Sequence, residues 1–152
     1  MRRKAVALCG LAMLLACLGA RADIFNDNAN ARQQIAAALA EASKARKNVV
    51  LDFGANWCPD CHALHAQMSR GQLASIIYRS YIVVEVSVGQ YDRNLDVARK
   101  YGVSLRHGIP VIAILDSHGK VLCATNQGQF SDAGSVSTAT FVAFFRKWAP
   151  KR

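Results

Sequence analysis

Val49-Val50-Leu51-Asp52-Phe53-Gly54-Ala55-Asn56-Trp57-Cys58-Pro59-Asp60-Cys61 passes from an apolar, β-branched run suited to a buried strand into two cysteines separated by two residues. Gly54 and Ala55 end the strand, and Pro59 stands where a helix tolerates proline, in its first turn. The stretch therefore predicts a strand that delivers Cys58 to the start of a helix, with Cys61 one turn further along. A sulfur at a helix start meets unpaired N–H groups and a partial positive charge, which favour thiolate over thiol. Thiolate is the attacking species in disulfide exchange. A second thiol one turn away can resolve a mixed disulfide, so two electrons move without a bound cofactor.

Outward from this stretch, residues 28–47 carry Ile35, Ala36, Leu39 and Ala42 at helical spacing among polar residues, which predicts an amphipathic helix. Residues 59–70 and 72–80 read as helical pieces, 81–88 as a second buried strand, and 92–101 as a helix ending at Gly102. This alternation implies parallel strand pairing. After Gly108-Ile109-Pro110, residues 111–115 and 120–124 flank the turn Asp116-Ser117-His118-Gly119 and read as a β-hairpin. Residues 127–138 are polar and glycine-bearing, a loop before a last helix over 138–148 with Phe141, Val142, Phe145 and Trp148 on its apolar face.

A chain of 152 residues with 52% apolar residues has room for one core and no second catalytic domain. Residues 1–22 read as a secretory signal peptide: Arg2, Arg3 and Lys4 precede an apolar run too short to span a bilayer, and Ala20-Arg21-Ala22 offers a small-x-small cleavage site. Leu14-Leu15-Ala16-Cys17 is a competing signal, a lipobox-like sequence that would tether the domain to a membrane through Cys17. Both readings place the domain of residues 23–152 outside the cytoplasm, and a periplasmic location is expected. No later stretch approaches the ~20 apolar residues of a membrane span.

The formal charge of +9 overstates the basicity of the exported part. Without Arg2, Arg3, Lys4 and Arg21, the 19 basic and 10 acidic residues become 15 and 10, a net +5 with no basic block, so nucleic acid is not an expected partner. Of the five cysteines, Cys58, Cys61 and Cys123 lie beyond the leader, too few for a disulfide scaffold. Cys123, beside Val121 and Leu122, reads as a small core residue. In an oxidising compartment a Cys-x-x-Cys pair rests as a disulfide, so a reducing role requires an electron supply.

The strand and motif at residues 50–61, together with Lys100-Tyr101-Gly102-Val103, Gly108-Ile109-Pro110 and the hairpin after Asp116, resemble the thioredoxin superfamily over residues 30–148. The entry Ala55-Asn56-Trp57-Cys58 and the export signal are most similar to exported members such as the periplasmic C-terminal domain of the transmembrane disulfide reductase. The resemblance implies a three-layer α/β/α fold with a central mixed sheet of about four strands. It implies a protein thiol–disulfide oxidoreductase with Cys58 as nucleophile, Cys61 as resolving thiol and Trp57 as a platform beside them. Pro110 would be the cis-proline next to the sulfurs, and the backbone of Ile109 would pair with an extended substrate. Asp52 falls where the family has a buried carboxylate that moves the resolving thiol's proton, a role suited to a raised pKa. The implied partners are protein disulfides and an upstream membrane electron donor.

Three departures from that pattern bear on tuning. Pro59-Asp60 stands between the cysteines in place of Gly-Pro, and the charge of Asp60 points toward a reductant. Glu85 falls near where the family has a lysine partner for the buried carboxylate. Residues 104–107 lengthen the loop before Pro110 and add Arg106 and His107 at the rim.

Two readings of another class compete. Cys58-Pro59-Asp60-Cys61-His62 spells a c-type haem attachment signature. Cys58, Cys61, His62 and His65 offer sulfur and nitrogen donors for copper or zinc, although neighbouring positions on a helix point about 100° apart and oppose convergence.

Overall fold

The structure, a computed structural model, describes residues 23–151. The signal peptide expected over residues 1–22 and the lipidation expected at Cys17 lie outside the described residues. Among the described residues, five helices and four strands follow in the order α1 (Ala31–Ala45), β1 (Asn48–Gly54), α2 (Pro59–Met68), α3 (Gly71–Ser80), β2 (Tyr81–Ser87), α4 (Leu95–Lys100), β3 (Val111–Leu115), β4 (Val121–Ala124) and α5 (Thr138–Lys147). The sheet order is β2-β1-β3-β4. Strand β1 pairs in parallel with β2 and antiparallel with β3, and β3 pairs antiparallel with β4. The parallel pairing expected from strand and helix alternation therefore holds for β1 and β2 alone, because the chain re-enters the sheet at β3 in the opposite direction.

All of β1 is buried, as a central strand with helices on both faces must be. Leu51 and Phe53 face a core completed by Ile35, Ala38 and Ala42 of α1 and Val97 of α4. Val50 faces the opposite core with Leu64, Leu73, Ile112, Phe141 and Phe145, where α2, α3 and α5 pack. This is a three-layer α/β/α arrangement around a four-stranded mixed sheet. Among the described residues, no helix is long and apolar enough to cross a membrane.

Local chemistry sets the boundaries. Asn30 caps α1 by accepting from Gln33 N at 3.1 Å, which shortens the expected helix at its start. The buried stripe of α1 is Ala31, Ile35, Ala38 and Ala42, so Ala36 is exposed where the spacing placed it inside. Helix α4 begins three residues later than expected because Gly89, Tyr91 and Asn94 take left-handed backbone conformations that no helix can include. Cys123 is half-buried, not a core residue, since β4 is the outer strand of the sheet.

Candidate active site

The buried strand β1 ends at Gly54, where a side chain has no room: a Cβ there would collide with the Phe25 ring and lie 3.0 Å from Cys61 Sγ. Four residues on, Cys58 is the N-cap of α2, its Sγ accepting from Cys61 N at 3.1 Å, with Pro59 as the first helical residue. Cys58 and Cys61 form a disulfide with a Cα–Cα distance of 5.3 Å. Cys61 is fully buried and Cys58 is 3% exposed.

The loop from α4 to β3 brings up the other wall. The Ile109–Pro110 peptide bond is cis, both residues are buried, and Ile109 O lies 3.6 Å from Cys58 Sγ. Ile109 makes no backbone-to-backbone hydrogen bond among the described residues, so its N–H and C=O are not tied into the sheet beside the sulfurs. Trp57 is 47% exposed and is held by a 2.8 Å hydrogen bond from Nε1 to Gly89 O. Tyr91 packs against it with ring centroids 5.8 Å apart. Tyr91 reads in the sequence as an ordinary surface or packing residue, because nothing local marks a left-handed turn that carries it to the motif.

Asp52 is 1% exposed, and its Oδ1 has no hydrogen-bond partner among the described residues. It shares a face of β1 with Val50 and Gly54, so it lies one pleat behind the point where Cys61 Sγ meets the strand. Burial, reinforced by the neighbouring Glu85 carboxylate, pushes its pKa up to about 8. Asp52 and Glu85 are partners in the β1–β2 register. Asp60 turns toward the chain before α5, where its Oδ1 accepts from Gly134 N at 2.9 Å. It thus ties the cysteine helix to a neighbouring loop as well as placing charge in the first turn. Arg106 and His107 are exposed, and Gly128 lies against the Cβ of His107.

The side chain of Asn56 reaches the other way. Its Oδ1 accepts from Ile24 N at 3.0 Å and Phe25 N at 2.9 Å, and its Nδ2 donates to Phe25 O at 2.7 Å. Phe25 is 1% exposed and belongs to the same apolar cluster as Ala55, Cys58 and Cys61. In the sequence the only signal of its part in the site is the isolated pair Ile24 and Phe25 between polar residues.

The geometry does not assemble the competing donor sets. His62 Nε2 donates to Asn56 O at 2.7 Å, and no group of three or more His, Cys, Asp or Glu side chains converges among the described residues. Cys61 is fully buried, whereas c-type attachment needs both sulfurs within reach of one porphyrin edge.

The family model described as thioredoxin-like matches residues 30–117. A disulphide isomerase from Xylella fastidiosa Temecula1 is 35% identical, with 80% of this chain and 93% of that one aligned and a TM-score of 0.76. The oxidised C-terminal domain of DsbD from Neisseria meningitidis is 20% identical over 79% of this chain and 97% of that one, with a TM-score of 0.58. A thioredoxin from Thermus thermophilus is 22% identical over 74% of this chain and 81% of that one, with a TM-score of 0.55, and these two likenesses bear on the fold. No curated protein sequence matches the chain. With the Cys58–Cys61 disulfide at the head of α2 and beside Pro110, the chain belongs to the thioredoxin-like family and is a thiol–disulfide oxidoreductase.

Proposed function

We propose that the protein acts outside the cytoplasm, in the cell envelope, reducing or exchanging disulfides of protein substrates. The observation that carries the disulfide-exchange reading is the position of Cys58 Sγ, at the N-cap of α2 and 3.6 Å from Ile109 O, while the envelope location rests on the signal-like residues 1–22. A substrate strand laid along Ile109 would find backbone groups not tied into the sheet there and present its disulfide to the sulfur.

In the reduced protein, Cys58 thiolate attacks one substrate sulfur. A mixed disulfide forms, the substrate S–S bond breaks, and the other substrate sulfur leaves as a thiolate. Cys61 then loses its proton and attacks Cys58 Sγ, which releases the second substrate thiolate and closes the Cys58–Cys61 disulfide. The substrate gains two electrons and the protein loses two. Asp52, with its pKa pushed up to about 8, is the group suited to accept the Cys61 proton near neutral pH. Trp57, fixed by Gly89, forms a flat exposed surface next to the attack site. A further turn requires a dithiol donor, and an electron carrier in the membrane is the partner that suits an exported protein.

Isomerase exchange uses the same first step and returns the substrate with no net transfer. The 35% identity to a protein described as a disulphide isomerase favours this second reading. Titration against glutathione, followed by Trp57 fluorescence, separates the directions. A potential near −270 mV supports a reductant, one near −180 mV an isomerase, and one near −120 mV an oxidant, all approximate reference values. Absence of a two-electron transition would overturn the proposal.

A further inference from the structure

We propose that Phe25, held by Asn56, is a positioning residue that seals the resolving thiol, so that Cys61 reacts with Cys58 and is closed to thiols and alkylating agents from solvent. The inference rests on the oxidoreductase reading and concerns how its two sulfurs are kept in different roles.

Three observations meet at Gly54. The bare Cα of Gly54 is approached on one side by the Phe25 ring and by Cys61 Sγ, which converge on the volume a Cβ would occupy. Cys61 has no exposed surface, and Phe25 has 1%. Ile24 and Phe25 are fixed to Asn56 by three hydrogen bonds of 2.7–3.0 Å that use both ends of one amide side chain. Asn56 is in turn held at its carbonyl by His62 Nε2 at 2.7 Å, from the helix that carries Cys61. The strap continues through Asp27, whose carbonyl accepts from Arg93 at 3.1 Å and whose carboxylate accepts from Ser87 Oγ. The chain before α1 is therefore pinned across the end of β1, and Phe25, its fully buried apolar side chain, is the part that reaches the strand end beside Cys61.

The consequence is chemical. A sulfur walled in by a ring, a strand end and its own helix can be reached by its covalent neighbour and by little else. A mixed disulfide on Cys58 is then resolved from within the protein, while a small thiol in solution is kept from Cys61. The same wall protects Cys61 from the oxidation that exposed thiolates undergo.

Protein expressed from the full chain, purified and reduced, is treated with iodoacetamide at pH 8, and alkylation is read separately at Cys58 and Cys61 by peptide mass spectrometry. In Phe25→Ala, Cys61 should alkylate about tenfold faster than in wild type, with Cys58 changed by less than about twofold, in line with the dependence of thiol reactivity on access. Phe25→Leu should restore most of the protection. A general loosening of the fold would raise both sites together, so the ratio of the two rates is the measure. Where Phe25→Ala does not fold, Asn56→Ala decides, since it removes the three bonds that hold Phe25 over the strand end while keeping the ring in the chain. A Cys61 rate within about twofold of wild type in the folded variant that decides overturns the inference. Insulin reduction by the wild type is measured alongside: failure there sinks the oxidoreductase reading, whereas the Cys61 ratio reports on the strap regardless of turnover.

Discussion

Asp52 and Glu85 stand opposite one another across the parallel β1–β2 pair, and Asp52 Oδ1 is buried without a hydrogen-bond partner among the described residues. A carboxyl so placed keeps its proton, because desolvation and a like charge both disfavour the anion. At pH below about 4 the folded and unfolded chains both hold that proton. Between the ordinary value of 3.8 and about 8 the unfolded chain releases it and the folded chain keeps it, so stability falls as pH rises across that window. Asp52→Asn removes the titration. Its melting temperature should match wild type near pH 4 and exceed it by on the order of 10–20 °C at pH 8. Parallel melting curves over pH 4–8 check this, and an offset independent of pH would refute the assignment.

The same carboxyl governs the resolving step in the proposed mechanism. The rate of mixed-disulfide resolution in wild type should rise through a break near pH 8, the pKa of Asp52. In Asp52→Asn that break should vanish, and the rate at pH 7 should fall roughly ten- to a hundredfold, the range of a lost general base. Stopped-flow measurement on a preformed mixed disulfide reads the step directly.

Glu85 is the smaller cause of the shift, after burial. Glu85→Gln should therefore move the break downward by less than about one pH unit and leave it above the ordinary carboxylate range, since burial persists. Glu85→Lys, which supplies an opposite charge, should move it further in the same direction. A break that moves upward in either variant would show that Glu85 does not act on Asp52.

Cys58 and Cys61 have separable roles in the proposed exchange. Cys58→Ser should abolish insulin reduction, and Cys61→Ser should accumulate mixed disulfides visible on non-reducing gels. Full turnover by either variant would remove the two-thiol mechanism.

Gly54→Ala tests the packing behind the sulfurs. Its Cβ would meet the Phe25 ring and lie 3.0 Å from Cys61 Sγ, so one of them must shift. A loss of about 1–3 kcal/mol in denaturant unfolding is expected, the usual cost of overpacking. A neutral result would mean that the strap gives way without resistance.

The leading strand and the cysteine spacing made the site legible because both are local. Seven buried residues of β1 and an N-cap at Cys58 follow from neighbours along the chain. The rest of the site depends on residues far from the motif. The left-handed loop that carries Tyr91 to Trp57, and the Asp60 bond to Gly134 across 74 positions, leave no periodic trace. Cys123 misled for the same reason: an apolar neighbourhood does not say whether a strand is central or at the edge.

The sequence by itself determined the order of strands and helices, the delivery of Cys58 to a helix start, and the pairing of Cys58 with Cys61. Those depend on hydrophobic periodicity, proline and glycine placement, and a spacing of one helical turn. Only the tertiary structure decided that β3 runs antiparallel beside β1, that Asp52 faces Glu85, and that the Phe25 ring and Cys61 Sγ meet beside Gly54. Those are contacts between segments distant in the chain. Their energies come from burial and register, and a linear pattern states neither.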